Sequence, residues 1–259
     1  MTDFAYNSAL PTRFPKVEQF ATIDSTNRYL LDAARDGVAN GLVVLADEQT
    51  AGRGRLGRTW TAPPGGSLLV SVLLRPSIPV DSWYLVTLAA GIAAAETVAE
   101  LTDASLVPKL KWPNDLVVPE GKLAGLLAER RGDVLVVGMG LNIDWPAVPD
   151  ELRDIAAVIS LSGATRVPSR DEVLIAWLRR WNGWLTILES PAGAERVRIA
   201  SEAMSATVGS TVRIQLAEET FEGLAVGITA NGHLIVATAE GRREISAGDV
   251  THLRGVSGV

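Results

Sequence analysis

Apolar residues run almost unbroken through Leu42-Val43-Val44-Leu45-Ala46 and again through Ser67-Leu68-Leu69-Val70-Ser71-Val72-Leu73-Leu74. Short runs of this kind, the second stopped by Pro76, predict strands buried on both faces. Lys16 to Ile23 predicts an earlier strand. Asp24-Ser25-Thr26-Asn27 then supplies N-cap chemistry for a helix through about Arg35, closed by Gly37. Ser82 to Leu101 is Ala-rich and predicts a long helix. Lys109 to Trp112 predicts a strand that ends in the turn residues Pro113-Asn114-Asp115. Leu116 to Val118 predicts a short strand with a turn at Gly121. Leu123 to Arg130 and Val134 to Leu141 predict an antiparallel pair across Arg131-Gly132-Asp133. Ser169 to Glu189 predicts a helix opened by a capping box, Ser169 with Glu172. Its Val173, Trp177, Trp181 and Leu185 recur every four residues and form a core face.

Near residue 203 the pattern changes. Short strand-like runs follow at Thr211 to Leu216, Glu222 to Ile228, His233 to Ala237 and Arg243 to Ile245. Glu218-Glu219, Asn231-Gly232 and Glu240-Gly241 separate them, and Asn-Gly between such runs is a hairpin signal. The segment predicts a small five-stranded barrel of SH3-like type. The expected division is a large domain over 1–202 and a small domain over 203–259. Residues 1–16 read as a loosely ordered arm.

A chain of 259 residues accommodates that pair of domains and a sizeable core. Its net charge of -6 makes it a poor general binder of nucleic acid. In the small domain, Glu218, Glu219, Glu222, Glu240, Glu244 and Asp249 outnumber Arg213, Arg242, Arg243 and Arg254, which argues the same way. With no cysteine there is no disulfide, zinc thiolate or catalytic thiol. The two histidines, His233 and His252, sit among strand-like residues and read as surface or edge positions. The apolar run from Leu85 to Ala95 ends at Glu96, too short for a membrane span, and the N-terminus lacks a signal-type apolar core. The expected setting is cytoplasmic.

Chemistry concentrates in Gln49-Thr50-Ala51-Gly52-Arg53-Gly54-Arg55-Leu56-Gly57-Arg58-Thr59-Trp60, which holds three arginines, three glycines and no acid. Three neighbouring cations repel, so the free loop is expected to be mobile and to order over a polyanion. Gly52-x-Gly54-x-x-Gly57 satisfies a dinucleotide fingerprint, but Pro63-Pro64-Gly65-Gly66 follows where that fingerprint requires a helix. No Gly-Lys-Ser/Thr follows either, so the loop is not a P-loop. A second segment, Lys111-Trp112-Pro113-Asn114-Asp115, stands before a third, Gly121-Lys122-Leu123-Ala124-Gly125, and Lys122 opens an apolar strand pattern.

In this order and spacing the three segments resemble the signature set of biotin protein ligases. Ser25-Thr26-Asn27, Gln49 and Gly138-x-Gly140-x-Asn142 resemble further family segments, and the likeness spans roughly residues 17–255. The resemblance implies an α+β fold, a mixed β-sheet flanked by helices (class II synthetase-like), with the small C-terminal barrel. Some members carry an N-terminal winged helix-turn-helix that represses biotin genes. Only about 20 residues precede the pattern here, so no repressor activity is expected.

By the same resemblance the enzyme joins biotin to ATP as biotinyl-5'-AMP and transfers biotin to a lysine of a carboxylase's biotin carboxyl carrier domain. Lys122, Arg55, Arg58 and Asp115 are the implied catalytic residues. Ser25, Thr26, Asn27, Gln49, Gly52, Arg53, Arg55, Lys122 and Gly125 are implied to bind biotin. Arg55, Arg58, Trp60, Lys111, Asn114, Lys122 and Asn142 are implied to bind ATP, with Mg²⁺ on its phosphates. Gly125, Gly138 and Gly140 would leave room for the biotin ring. Two negatively charged reactants need cationic donors to approach each other, which suits this set. A lipoate protein ligase and a non-catalytic biotin-binding regulator are the alternatives.

Overall fold

The computed structural model describes residues 9–253. Most of the expected arm, residues 1–8, and Arg254 lie outside them. The chain builds a seven-stranded mixed sheet and a separate five-stranded antiparallel one.

In the large sheet β1 (Lys16–Ile23) and β2 (Leu42–Gln49) are parallel, joined through α1 (Thr26–Ala33). The other strands are antiparallel: β3 (Ser67–Leu74), β4 (Lys109–Lys111), β5 (Asp115–Val118), β6 (Gly121–Arg131) and β7 (Val134–Asn142). Their spatial order is β1-β2-β3-β7-β6-β5-β4. Side chains alternate between faces along each strand. One face carries Val43, Leu45, Val70, Val72, Val137 and Met139, packed with α2 (Tyr84–Leu101) and α3 (Arg170–Leu188). Thirteen of the 18 residues of α2 are buried, so its apolar length serves the core. The indoles of Trp177 and Trp181 donate to Ala90 O and Val86 O on α2, which lets two buried tryptophans satisfy their N–H groups. Ser169 and Glu172 form the expected capping box.

The opposite face is divided. Over one part, Leu30 and Leu31 of α1 cover Val44, Leu73, Val134 and Val136. The remainder carries Ser71, Gly125, Gly138 and Gly140, and this floor of small residues is where the site lies.

One helix escaped the sequence reading: α4 (Gly193–Ala203). It has no side-chain N-cap, and Ala192 before it is in the left-handed region. The α2 helix starts at Tyr84, because Val80–Ser82 is a separate 3₁₀ turn.

The second sheet comprises β8 (Thr211–Gln215), β9 (Thr220–Ile228), β10 (Leu234–Thr238), β11 (Gly241–Ile245) and β12 (Asp249–His252), in the order β11-β10-β9-β8-β12. This is the expected small SH3-like module. Its core of Val212, Ile214, Leu234, Val236 and Ile245 also takes in Trp112 from the large sheet. The Trp112 indole donates to Gly232 O (3.1 Å), its backbone N–H to Thr207 Oγ1 (3.0 Å), and Leu110 pairs with Met204 and Ala206. Trp112 therefore docks the two modules, a role its place in a signature segment did not reveal.

Candidate active site

A cleft of about 1040 Å³ lies over the glycine floor, bounded by the N-terminus of α1, the Gly52–Trp60 segment, the turn after β4 and β12 of the small module. Five Lys or Arg side chains and three Asp line it, an inversion of the chain's overall negative charge.

The arginine-rich segment is a folded hairpin. Trp60 N–H donates to Gly52 O, Gly54 N–H to Arg58 O, and Arg53 bridges Thr59. Leu56 (φ 54°) and Gly57 (φ 74°) turn the chain back in left-handed conformation. A Cβ on Gly52 would lie 2.3 Å from Trp60 O, so only glycine permits this closure. Each of the cations on which the expectation of a mobile free loop rested has a protein partner here. Arg53 pairs with Glu129 on β6 (2.8 Å). Arg55 donates to Asn114 Oδ1 (3.2 Å) and Gly248 O (3.4 Å). Arg58 pairs with Asp249 of β12.

Lys122 comes from the start of β6. Its Nζ stands 2.7 Å from Asp115 Oδ1 on β5 and 5.3 Å from the ring centroid of Trp60, a cation–π distance. Trp60 itself lies on the glycine floor: a Cβ on Gly140 would meet its indole at 2.4 Å, and one on Gly125 at 2.9 Å. A Cβ on Gly138 would meet Asn27 Oδ1 at 2.2 Å. The three glycines thus accommodate protein side chains directly.

At the α1 end the wall is a chain of hydrogen bonds. Ser25 caps α1. Thr26 N–H donates to Gln49 Oε1 (2.8 Å), and Thr26 Oγ1 lies 2.7 Å from Ser71 Oγ. Ser71 donates to Asn27 Oδ1 (2.6 Å). Asn114 and Asn142 are tied to protein as well, the first to Leu126 O and the second to Ala157 O. Lys111 lines the cleft near His252, whose imidazole is held below its ordinary pKa by burial and by Lys111. Tyr84, half-buried at the module seam, donates to Pro113 O, and desolvation pushes its phenol far above the usual range, keeping that donor in place.

The geometry gathers nearly every residue named from sequence, Ser25, Thr26, Asn27, Gln49, Arg53, Arg55, Arg58, Trp60, Lys111, Asn114, Asp115, Lys122, Gly125 and Asn142, around one cleft. Gly52, buried at the base of the hairpin, does not line the cleft. Arrays of this kind suit chemistry between anions held away from water.

Two family models match the chain: the Biotin/lipoate A/B protein ligase family over residues 19–144 and the Biotin protein ligase C terminal domain over 207–253. The biotin--[acetyl-CoA-carboxylase] ligase of Mycobacterium tuberculosis is 36% identical across 92% of this chain and 90% of its own length. The chain belongs to the biotin protein ligase family. The bifunctional ligase/repressor BirA of Bacillus subtilis is 29% identical over 88% of this chain and 71% of its own. A biotin protein ligase from Aquifex aeolicus, solved with biotin and ATP, superposes with a TM-score of 0.80 at 31% identity, covering 92% of this chain and 99% of that one. Membership also accounts for the mixed sheet flanked by helices and the small C-terminal sheet.

Sequence reasoning about this ligase fold missed four residues, three lining the cleft and Glu129 behind its wall. Ser71 was absorbed into an apolar strand, although a hydroxyl in the middle of such a run is itself a signal. Trp145, whose indole donates to Ser67 Oγ, carries no motif. Glu129 and Asp249 are distant in sequence from the arginines they hold.

Proposed function

We propose that this chain activates biotin with ATP to biotinyl-5'-AMP and transfers the biotinyl group to a lysine of a biotin carboxyl carrier domain in the cytoplasm. The observation that carries this reading is Lys122, held by Asp115 beside Trp60 between a neutral polar wall and an arginine-rich hairpin. In the first step a carboxylate oxygen of biotin bonds to the α-phosphorus of ATP, the bond to the bridging oxygen breaks, and pyrophosphate leaves with that electron pair. Lys122, Arg55 and Arg58 offset the negative charge that builds there. In the second step the acceptor amine bonds to the acyl carbon, AMP leaves, and the amine sheds its proton. Trp60 and the hairpin shield the adenylate from water until then.

Biotin occupies the α1 end in this reading, at Ser25, Thr26, Asn27, Gln49, Gly52, Arg53 and Gly125. ATP lies toward Arg55, Arg58, Lys111, Asn114 and Asn142. Among the described residues no three His, Cys, Asp or Glu side chains cluster. Mg²⁺ accompanying the ATP phosphates would neutralise charge beside Arg55 and Arg58. We propose a boundary between catalytic and small domains at 202/203, beside the end of α4 at Ala203; Met204 and Ala206 still pair with Leu110 of the large sheet before β8 begins. The C-terminal match supports biotin over lipoate as substrate.

The test is purified protein with MgATP, biotin and lipoate in equal amounts, and an apo-carrier domain, read by intact mass. One biotinyl adduct per carrier is expected. A lipoyl adduct in its place, or none while the carrier remains a substrate for another biotin ligase, would overturn the reading.

A further inference from the structure

Glu129 stands behind the cleft wall on β6, its side chain only 20% exposed. Its two oxygens serve different elements. Oε1 takes the Arg53 guanidinium at 2.8 Å, and Oε2 takes Asn27 Nδ2 at 2.9 Å. Asn27 is 4% exposed, and its amide also donates to Leu127 O at 3.2 Å. Both amide hydrogens are thereby consumed, which orients Oδ1 toward Ser71.

The consequence runs along the wall. Ser71 has one hydroxyl hydrogen, and Asn27 Oδ1 receives it. Thr26 has one as well, and its neighbours are Ser71 Oγ and Gln49 Oε1, both within the protein. Every hydrogen of these three side chains is spent internally. What they have left to offer the cleft is lone pairs, so this stretch of the wall, Gln49 apart, is an acceptor surface. It fits a ligand edge that presents N–H donors.

We propose that Glu129 is a positioning residue that fixes this polarity: it holds Asn27 in the one amide orientation that makes the wall accept, and fastens the first strand of the hairpin through Arg53. This rests on the biotin reading, since the ureido group is the N–H-bearing edge of that ligand. Glu129 acts through Asn27 and Arg53 and touches no reacting atom. With glutamine in its place, the side chain brings its own N–H₂ to one of two donors, and Leu127 O alone is left to hold the Asn27 amide in its orientation.

The experiment is calorimetric binding of biotin and of N-methylated biotin to the full chain, wild type and Glu129→Gln, with steady-state adenylation alongside. Glu129→Gln is expected to weaken biotin about 10-fold, as for loss of a charge-assisted hydrogen bond. Its preference for biotin over the N-methyl analogue should shrink, while the KM for ATP and kcat at saturating biotin stay within about 2-fold. A merely structural defect would weaken both ligands equally. Ser71→Ala, a smaller change at the far end of the relay, should lose selectivity in the same sense. Unchanged affinity and selectivity in Glu129→Gln would overturn the assignment of Glu129 alone. No biotin binding by the wild type would overturn the functional reading, and this assignment with it.

Discussion

The two flanks of the hairpin are held by the same chemistry, arginine on carboxylate, in different surroundings. On the sheet side Arg53 meets Glu129, which is anchored by buried Asn27 and, through it, by Ser71 and Thr26. On the small-module side Arg58, 65% exposed, meets Asp249 alone, and Arg55 meets a carbonyl and an amide oxygen. Buried polar groups must find protein partners, so the first flank is built before any ligand arrives. Exposed ion pairs contribute little and exchange partners readily, so the second flank leaves its arginines available to a more strongly charged anion. One end of the cleft is suited to recognising shape and hydrogen-bond pattern, the other to gathering charge.

The group between the flanks should show the largest effect. Lys122→Ala is expected to slow biotin-dependent pyrophosphate exchange by about 100-fold or more, as when a transition-state donor is lost. A rate within a few-fold of wild type would refute the central position of Lys122. Next come two glycines on one strand. Gly138→Ala drives a methyl into Asn27 and the buried relay, and should cost about 1–3 kcal/mol, seen as a fall in Tm of several degrees. Gly140→Ala drives it into half-buried Trp60 of the hairpin rather than into the buried relay, so activity should fall more than Tm. Equal Tm losses would erase the distinction between a fixed flank and a movable one.

Asp249→Ala should do less. It frees Arg58 and adds positive potential, tightening the KM for ATP by up to about 3-fold at low salt, an effect that vanishes as ionic strength rises. A large loss of adenylation would mean the barrel side is as fixed as the sheet side. The smallest effect concerns His252, which lies 3.0 Å from Thr207 Oγ1 at the seam. Its folded pKa is lowered, so the unfolded chain takes the proton first as pH falls through the ordinary value near 6.5, and stability drops there. His252→Gln should lose less Tm than wild type between pH 7 and pH 5.5.

Much of this was legible in the chain itself. The strands Lys16–Ile23 and Ser67–Leu74 and the capping box of Ser169 with Glu172 follow from local rules of apolar run length and helix-end chemistry. The α4 helix was not legible, because it lacks a side-chain cap and is short. The cationic hairpin, Lys122 and the Ser25–Asn27 cap were visible as residue types that suit anions, and their resemblance to a family joined them into one site.

By itself the sequence determined which segments form strands and helices and which side chains can meet negative charge, since both depend on neighbours along the chain. Tertiary structure alone decided that Glu129 and Asp249 restrain the arginines, that Trp112 docks the small module, and that glycines on β6 and β7 make room for Asn27 and Trp60. Those pairings join residues far apart in sequence. Strand register and the packing of the two sheets bring them together, and no local pattern encodes either.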